Sequence, residues 1–222
     1  MQQQLSLALP VRPALGRGDF FVSEANATAL AAIEGWQGWP GRKMVLTGPE
    51  GAGKTHLAHV WAALAAATIV QATALAEAEI PALARAPVAV EDADRIAGDP
   101  AAEAALFHLH NLVLAEGKAL LVTARDAPGR WGLALPDLES RLQAATLARV
   151  QPPDDRLLFA LLAKLFADRQ LTPGPATLTY VTRRIDRSFA AAAEAVERLD
   201  RAALEAKRPL TRSLAAQVLG DG

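Results

Sequence analysis

Eight consecutive residues, Gly48-Pro49-Glu50-Gly51-Ala52-Gly53-Lys54-Thr55, have the types and spacing of a phosphate cradle. They satisfy the pattern G-x4-G-K-[ST]. Glycine lets backbone N–H groups turn inward around phosphate oxygens with no Cβ in the way. The start of a following helix adds partial positive charge. In such a loop Lys54 reaches the β and γ phosphates, and the Thr55 hydroxyl ligates magnesium. His56 continues the run into the helix and is counted with the cradle. The plain alternative is a glycine-rich turn that matches by chance. The flanks weigh against it: KMVLT (43–47) reads as a short buried strand, and 55–67 as a helix.

A second acidic step is expected after a later strand, and Val88-Ala89-Val90-Glu91-Asp92 supplies it. Carboxylates there can hold magnesium, a role given to Glu91, and polarise an attacking water, a role given to Asp92. Read alone, the same residues are a strand ending in solvated acids. His56 and His59 stand three apart on one helix, but no third ligand accompanies them, so packing and surface roles suit them better.

These groups need elements to position them. The pattern turns helical over 23–33. Further strands are expected at 67–72, 88–90, 119–123 and 146–150. Helices are expected over 100–116, opened by Asp99-Pro100 and stopped by Gly117, and over 138–142. Alternating strands and helices predict an α/β fold with a five-stranded parallel sheet covered on both faces. The texture changes at Gln151-Pro152-Pro153. Beyond it helices are expected at 154–171, 175–185, 188–208 and 212–219, the first with an apolar stripe of Leu157, Leu158, Leu161, Leu162, Leu165 and Phe166. The expected organisation is a tail over 1–17, a nucleotide-binding domain over 18–150 and a small helical lid over 151–222.

Composition narrows the function classes. Hydrophobic residues make up 51% and charged residues 21%, a globular balance in which alanine prevails over aromatics. The net charge of -1 provides no global basic field for DNA or an anionic membrane. With no cysteine, disulfides and thiolate metal sites are excluded, and a cytoplasmic location is expected. No run reaches the roughly 18 apolar residues of a membrane span. The first residues lack the basic segment of a secretory signal. They place Leu5, Leu7 and Leu9 at alternate positions, followed by Pro10 and Pro13. Such alternation suits an extended segment with one apolar side.

Taken together, the motifs resemble the AAA+ family, and within it the branch of the bacterial replication initiator DnaA. The run Gly53-Lys54-Thr55-His56-Leu57-Ala58-His59 is similar to that branch's continuation of the P-loop. Asp19 to Asn26, DFFVSEAN, resembles its adenine-side motif, which implies that Phe21 and Val22 lie at the base. Leu135-Pro-Asp-Leu-Glu-Ser-Arg141 resembles the box carrying an arginine finger. Ile185-Asp186-Arg187-Ser188 stands where the family has its sensor 2 arginine. Two departures concern hydrolysis: the acidic step is Glu91-Asp92 where the branch has two aspartates, and Thr123-Ala124-Arg125-Asp126 stands in place of a clear polar sensor 1.

A DnaA-like chain continues into a basic helix-turn-helix domain. Here Lys and Arg from 151 onward number 11 against 9 acids, too even for such a module, so no sequence-specific DNA binding is expected. A DnaA-like core with an N-terminal Gln-Leu-Ser-Leu motif resembles the Hda family. That resemblance implies docking on the DNA polymerase III sliding clamp (its β subunit) through Gln4, Leu5, Ser6, Leu7 and Leu9. It also implies ADP or ATP with Mg2+ as ligand, and Arg141 acting in trans on ATP held by DnaA. Homo-oligomerisation is left open. Two rival readings remain: a self-sufficient ATPase or helicase-loader-like ring, and a small-molecule phosphotransferase, which would need an acceptor pocket within the α/β domain.

Overall fold

The computed structural model describes Val22 and residues 26–220. The clamp-motif residues and Phe21 lie outside the described residues, and the expectations placed on them stay untested.

An α/β core comes first. Its elements are α1 (Ala27–Glu34), β1 (Lys43–Thr47), α2 (Lys54–Ala65), β2 (Thr68–Gln71), α3 (Ile80–Leu83), β3 (Val88–Glu91), α4 (Pro100–Ala115), β4 (Leu120–Ala124), α5 (Pro136–Gln143) and β5 (Thr146–Arg149). The strands form one parallel sheet in the order β2-β3-β4-β1-β5. β1 therefore runs inside the sheet, with Met44 level with Leu121 on one side and Thr146 on the other.

The period of two sorts side chains to the two faces. Val45, Val88, Val90, Leu120 and Val122 pack under α3, α4 and α5 with Leu106, Leu109 and Leu138. Met44, Leu46, Ala89 and Leu121 pack under α1 and α2 with Ile33, Leu57 and Trp61. Three tryptophans consolidate that second layer: Trp39 stacks on Trp61 at 5.4 Å between ring centroids, and Trp36 meets Trp61 edge-on at 6.3 Å.

Four helices follow as the lid: α6 (Asp155–Asp168), α7 (Pro175–Arg184), α8 (Phe189–Ala206) and α9 (Arg212–Leu219). Leu158, Leu162, Phe166, Val181, Val196, Leu199 and Leu214 close a separate core among them. Side-chain caps begin three of the four, as hydroxyls and carboxylates at the N-cap should. Asp154 accepts from the Leu157 N–H at 2.7 Å, Ser188 from Ala191 at 3.0 Å and Thr211 from Leu214 at 3.3 Å.

Expected and observed elements differ at their edges. The first helix begins at Ala27, and α2 begins at Lys54 itself. α3 was not anticipated: four residues with Pro81 inside them leave no period to read. β2 and β5 are edge strands, which is why their burial is poor and Leu147 stays 53% exposed. No helix among the described residues is long and apolar enough to cross a membrane.

Candidate nucleotide site

β1 delivers the chain to Gly48 at the carboxyl end of the sheet, where ligands of open α/β folds bind. Two glycines of the loop stand where a side chain would collide. A Cβ on Gly48 would lie 2.5 Å from the Val150 carbonyl oxygen, and one on Gly51 2.4 Å from the Ser188 Cβ. Gly51 and Gly53 have φ of +72° and +99°, a region that favours glycine. The loop closes with Ala52 N–H donating to the Pro49 carbonyl at 3.2 Å, and α2 begins two residues later at Lys54.

Lys54 is only 7% exposed. Its amine donates to the carbonyls of Gly48 at 2.7 Å and Pro49 at 3.0 Å, folding back over the loop it belongs to. Burial pushes its pKa below the ordinary value; Asp92 and Asp94 hold it up, Arg125 adds to the fall, and Glu50 opposes it. Thr55 is exposed in the first turn of α2, and His56 is half-buried behind it.

The acidic step lies at the end of β3, one strand away from β1 across β4 but at the same end of the sheet, and Asp92 and Asp94 are near enough to act on Lys54. Glu91 is buried: Oε2 accepts from Gln71 Nε2 at 3.0 Å, while Oε1 has no hydrogen-bond partner. Asp92 takes φ +54°, and its N–H donates to the Thr123 hydroxyl at 3.1 Å. Its carboxylate lies 3.3 Å from Arg95. Asp94 approaches Arg125 at 3.6 Å, and its Oδ1 is likewise buried without a partner. Two unsatisfied carboxylate oxygens near a buried lysine fit a hard cation. No cluster of three or more His, Asp or Glu forms a metal cage among the described residues. Magnesium at a phosphate loop needs none, because it keeps waters and takes one or two protein oxygens beside the phosphates. Of the residues expected to hold it, Thr55 has an exposed hydroxyl and Glu91 an unpartnered buried oxygen.

The lid touches the loop directly. Phe189 N–H donates to the Gly51 carbonyl at 2.9 Å, and the Phe189 ring lies 3.1 Å from where a Gly53 Cβ would stand. The start of α8 is thus seated on the cradle. Arg187, two residues earlier and just outside α8, pairs with Asp155 of α6 at 2.8 Å, both side chains exposed.

Arg141 belongs to a different place. It is exposed near the end of α5, its guanidinium 5.2 Å over the Phe107 ring of α4. Its carbonyl accepts from Lys43 Nζ at 2.7 Å, and Lys43 Nζ stands 3.3 Å from His110 Nε2. His110 Nδ1 lies 3.2 Å from Asn111 Oδ1. A neutral imidazole donating from Nδ1 to Asn111 and accepting at Nε2 from Lys43 satisfies all three groups. Burial holds the His110 pKa below its usual value; the Asn111 bond opposes this, and Lys43 and Arg141 reinforce it. Burial, then Arg141, also lowers that of Lys43. Lys43 opens β1 and Gly48 follows its end, about 16 Å along an extended strand. The backbone of Arg141 is therefore anchored at the opposite end of β1 from its own phosphate loop.

Buried Glu103 links these regions. It is 1% exposed and accepts the N–H groups of Gly98 at 2.9 Å, Ala134 at 3.1 Å and Leu135 at 2.8 Å. The last two lead straight into α5. Burial alone would raise its pKa, but the bonds from Ala134, Gly98 and Leu135 outweigh that and hold it below the ordinary carboxylate value. Sequence reading overlooked Glu103, Asp94, Phe107, Lys43 and Phe189. Only Asp94 left a signal, as the third acid of Glu91-Asp92-Ala93-Asp94.

No protein-family model matches the chain. Solved structures do. Domain III of the Thermotoga maritima replication initiation protein DnaA superposes with a TM-score of 0.79 at 18% identity, covering 95% of this chain and 98% of that domain. AMPPCP-bound DnaA from Aquifex aeolicus gives 0.69 at 15%, covering 81% of this chain and 63% of that one. A Thermotoga maritima RuvB variant gives 0.73 at 17%, covering 93% and 71%. At such identities the likeness is one of fold. The chain has the AAA+ P-loop NTPase fold, an α/β core with a five-stranded parallel sheet followed by a helical lid.

Proposed function

We propose that this protein is an Hda-type regulator of replication initiation. It binds ADP or ATP with Mg2+ at Gly48–Thr55, docks on the sliding clamp through residues 4–9, and supplies Arg141 to ATP held by DnaA. The nucleotide pins lid to core by binding the folded state. Lys54 exchanges the Gly48 and Pro49 carbonyls for phosphate oxygens. Thr55 and Glu91 hold the magnesium, Asp92 orients water, and Arg187, released from Asp155, turns to the phosphates.

The observation that carries the reading is the placement of Arg141. It is exposed, held on Phe107 and Lys43, and anchored at the far end of β1 from its own loop. A guanidinium so placed serves a second subunit's phosphate better than its own. The unpartnered oxygens of Glu91 and Asp94 suit nucleotide-linked magnesium.

A self-sufficient ring-forming ATPase is the second reading, kept because the fold is shared beyond DnaA: RuvB superposes with a TM-score of 0.73 against 0.79 for DnaA domain III. ATP turnover by the purified chain, measured beside its sizing profile, separates the two. The adaptor reading expects negligible turnover alone and no hexamer. Robust turnover by a hexamer would replace it with the ring.

A further inference from the structure

β4 ends beside the phosphate loop, and Arg125 follows at once. The Gly48 N–H donates to the carbonyls of Ala124 and Arg125, each at 3.3 Å, which joins the Arg125 backbone to the first residue of the cradle. The side chain, half exposed, turns to Asp94, with Nε 3.6 Å from Oδ2. Lys54 feels its charge: burial lowers the lysine pKa most, Asp92 and Asp94 raise it, and Arg125 lowers it again. Two cations therefore stand near each other at one cradle.

The pair with Asp94 is loose. At 3.6 Å the two atoms are beyond hydrogen-bond distance, and no hydrogen bond reaches the Arg125 guanidinium among the described residues. Asp94 keeps Oδ1 buried with no partner. Neither group satisfies the other, and an ion pair with a half-exposed member contributes little. The guanidinium can leave Asp94 at small cost.

In a loop of this kind the backbone cradles the α and β phosphates, and the lysine reaches the β and γ phosphates. A second cation near that lysine meets the far end of the phosphate chain. Asp92 and Asp94 act on the same lysine and repel a terminal phosphate, so a cation beside them has an electrostatic task. We infer that Arg125 exchanges Asp94 for the terminal phosphate of a nucleoside triphosphate, a contact that a diphosphate cannot make. The inference rests on the nucleotide reading of Gly48–Thr55 and adds to it two residues that tell the nucleotides apart. A planar guanidinium fork matches phosphate oxygens, and its bonds to them are charge-assisted. Asp94 competes with the phosphate for the same fork.

Calorimetric titration of ADP and of AMPPCP, each with excess Mg2+, tests this. Arg125→Ala should lose about 10- to 100-fold in affinity for AMPPCP, the scale of a hydrogen bond to a charged group, and keep its affinity for ADP. Both ligands are titrated into one preparation, so any unfolded fraction cancels from their ratio. Arg125→Lys should recover part of the loss. Asp94→Asn should strengthen AMPPCP relative to ADP, and that gain should shrink when Arg125 is alanine. An equal gain in both backgrounds overturns the exchange. An unchanged ratio in Arg125→Ala, or an equal loss for both ligands, overturns the inference and leaves the nucleotide site in place. Wild type that binds neither ligand overturns the nucleotide reading itself, and this inference with it.

Discussion

Glu103 shows how one side chain can hold two regions in register. Three N–H groups converge on its carboxylate, two of them from the segment that launches α5. Glu103→Gln should destabilise the fold by about 3 kcal/mol, since charge-assisted bonds are replaced and an amide donor faces N–H groups. The pH dependence follows from its lowered pKa. A carboxyl whose folded pKa is depressed contributes stability above its unfolded value and loses it as pH falls through the folded one. Denaturant melts should therefore show the wild-type advantage present at neutral pH and vanishing in acid below the ordinary carboxylate range. His110 behaves alike with a different window. Its folded pKa is also lowered, so the unfolded chain takes up protons first as pH drops below about 6.5. Stability should decline from there, and His110→Gln should flatten that part of the profile. Residue chemistry was legible where it is local. The glycines, Lys54 and Thr55 announce themselves by spacing, whereas Glu103 and Lys43 act on residues 31 to 98 positions away. No local pattern carries such a pairing.

At the scale of elements, the loop and the start of α8 act as one joint. Gly51 is excluded from bearing a side chain twice over, by its φ of +72° and by the Ser188 Cβ. Gly51→Ala should cost at least the 1–2 kcal/mol of a left-handed L-residue, and more from the collision. Adding Ser188→Gly removes the collision but not the strain, and sacrifices the cap on Ala191 only in part. Calorimetry should rank wild type above the double variant and the double variant above Gly51→Ala. An equal melting temperature for both variants would show that the lid does not press on the loop. Strands and helices of the core were readable because burial on both faces imposes continuous apolar runs, as in VAV and ALLVT. The four-residue α3, the edge character of β2 and β5, and the seating of α8 on Gly51 were not readable, because each depends on strand order or on docking of the lid.

At the scale of the molecule, the proposed division of labour separates three regions. The tail finds the clamp, the core and lid hold nucleotide, and α5 presents Arg141. Deleting residues 1–9 should abolish capture by the sliding clamp in a pull-down while leaving the melting temperature and its nucleotide-dependent rise intact. Lys54→Ala should do the reverse, because the buried amine is what the phosphates need. Loss of both properties in either variant would mean that the regions are not separable. The most direct measurement is single-turnover hydrolysis of ATP bound to DnaA, in the presence of DNA-loaded clamp. The account predicts that Arg141→Ala keeps the fold, nucleotide binding and clamp capture, but loses stimulation by some 10³-fold or more, the scale of an arginine finger. Phe107→Ala, which frees the guanidinium without removing it, should fall in between. Stimulation of wild-type size by Arg141→Ala would contradict the account.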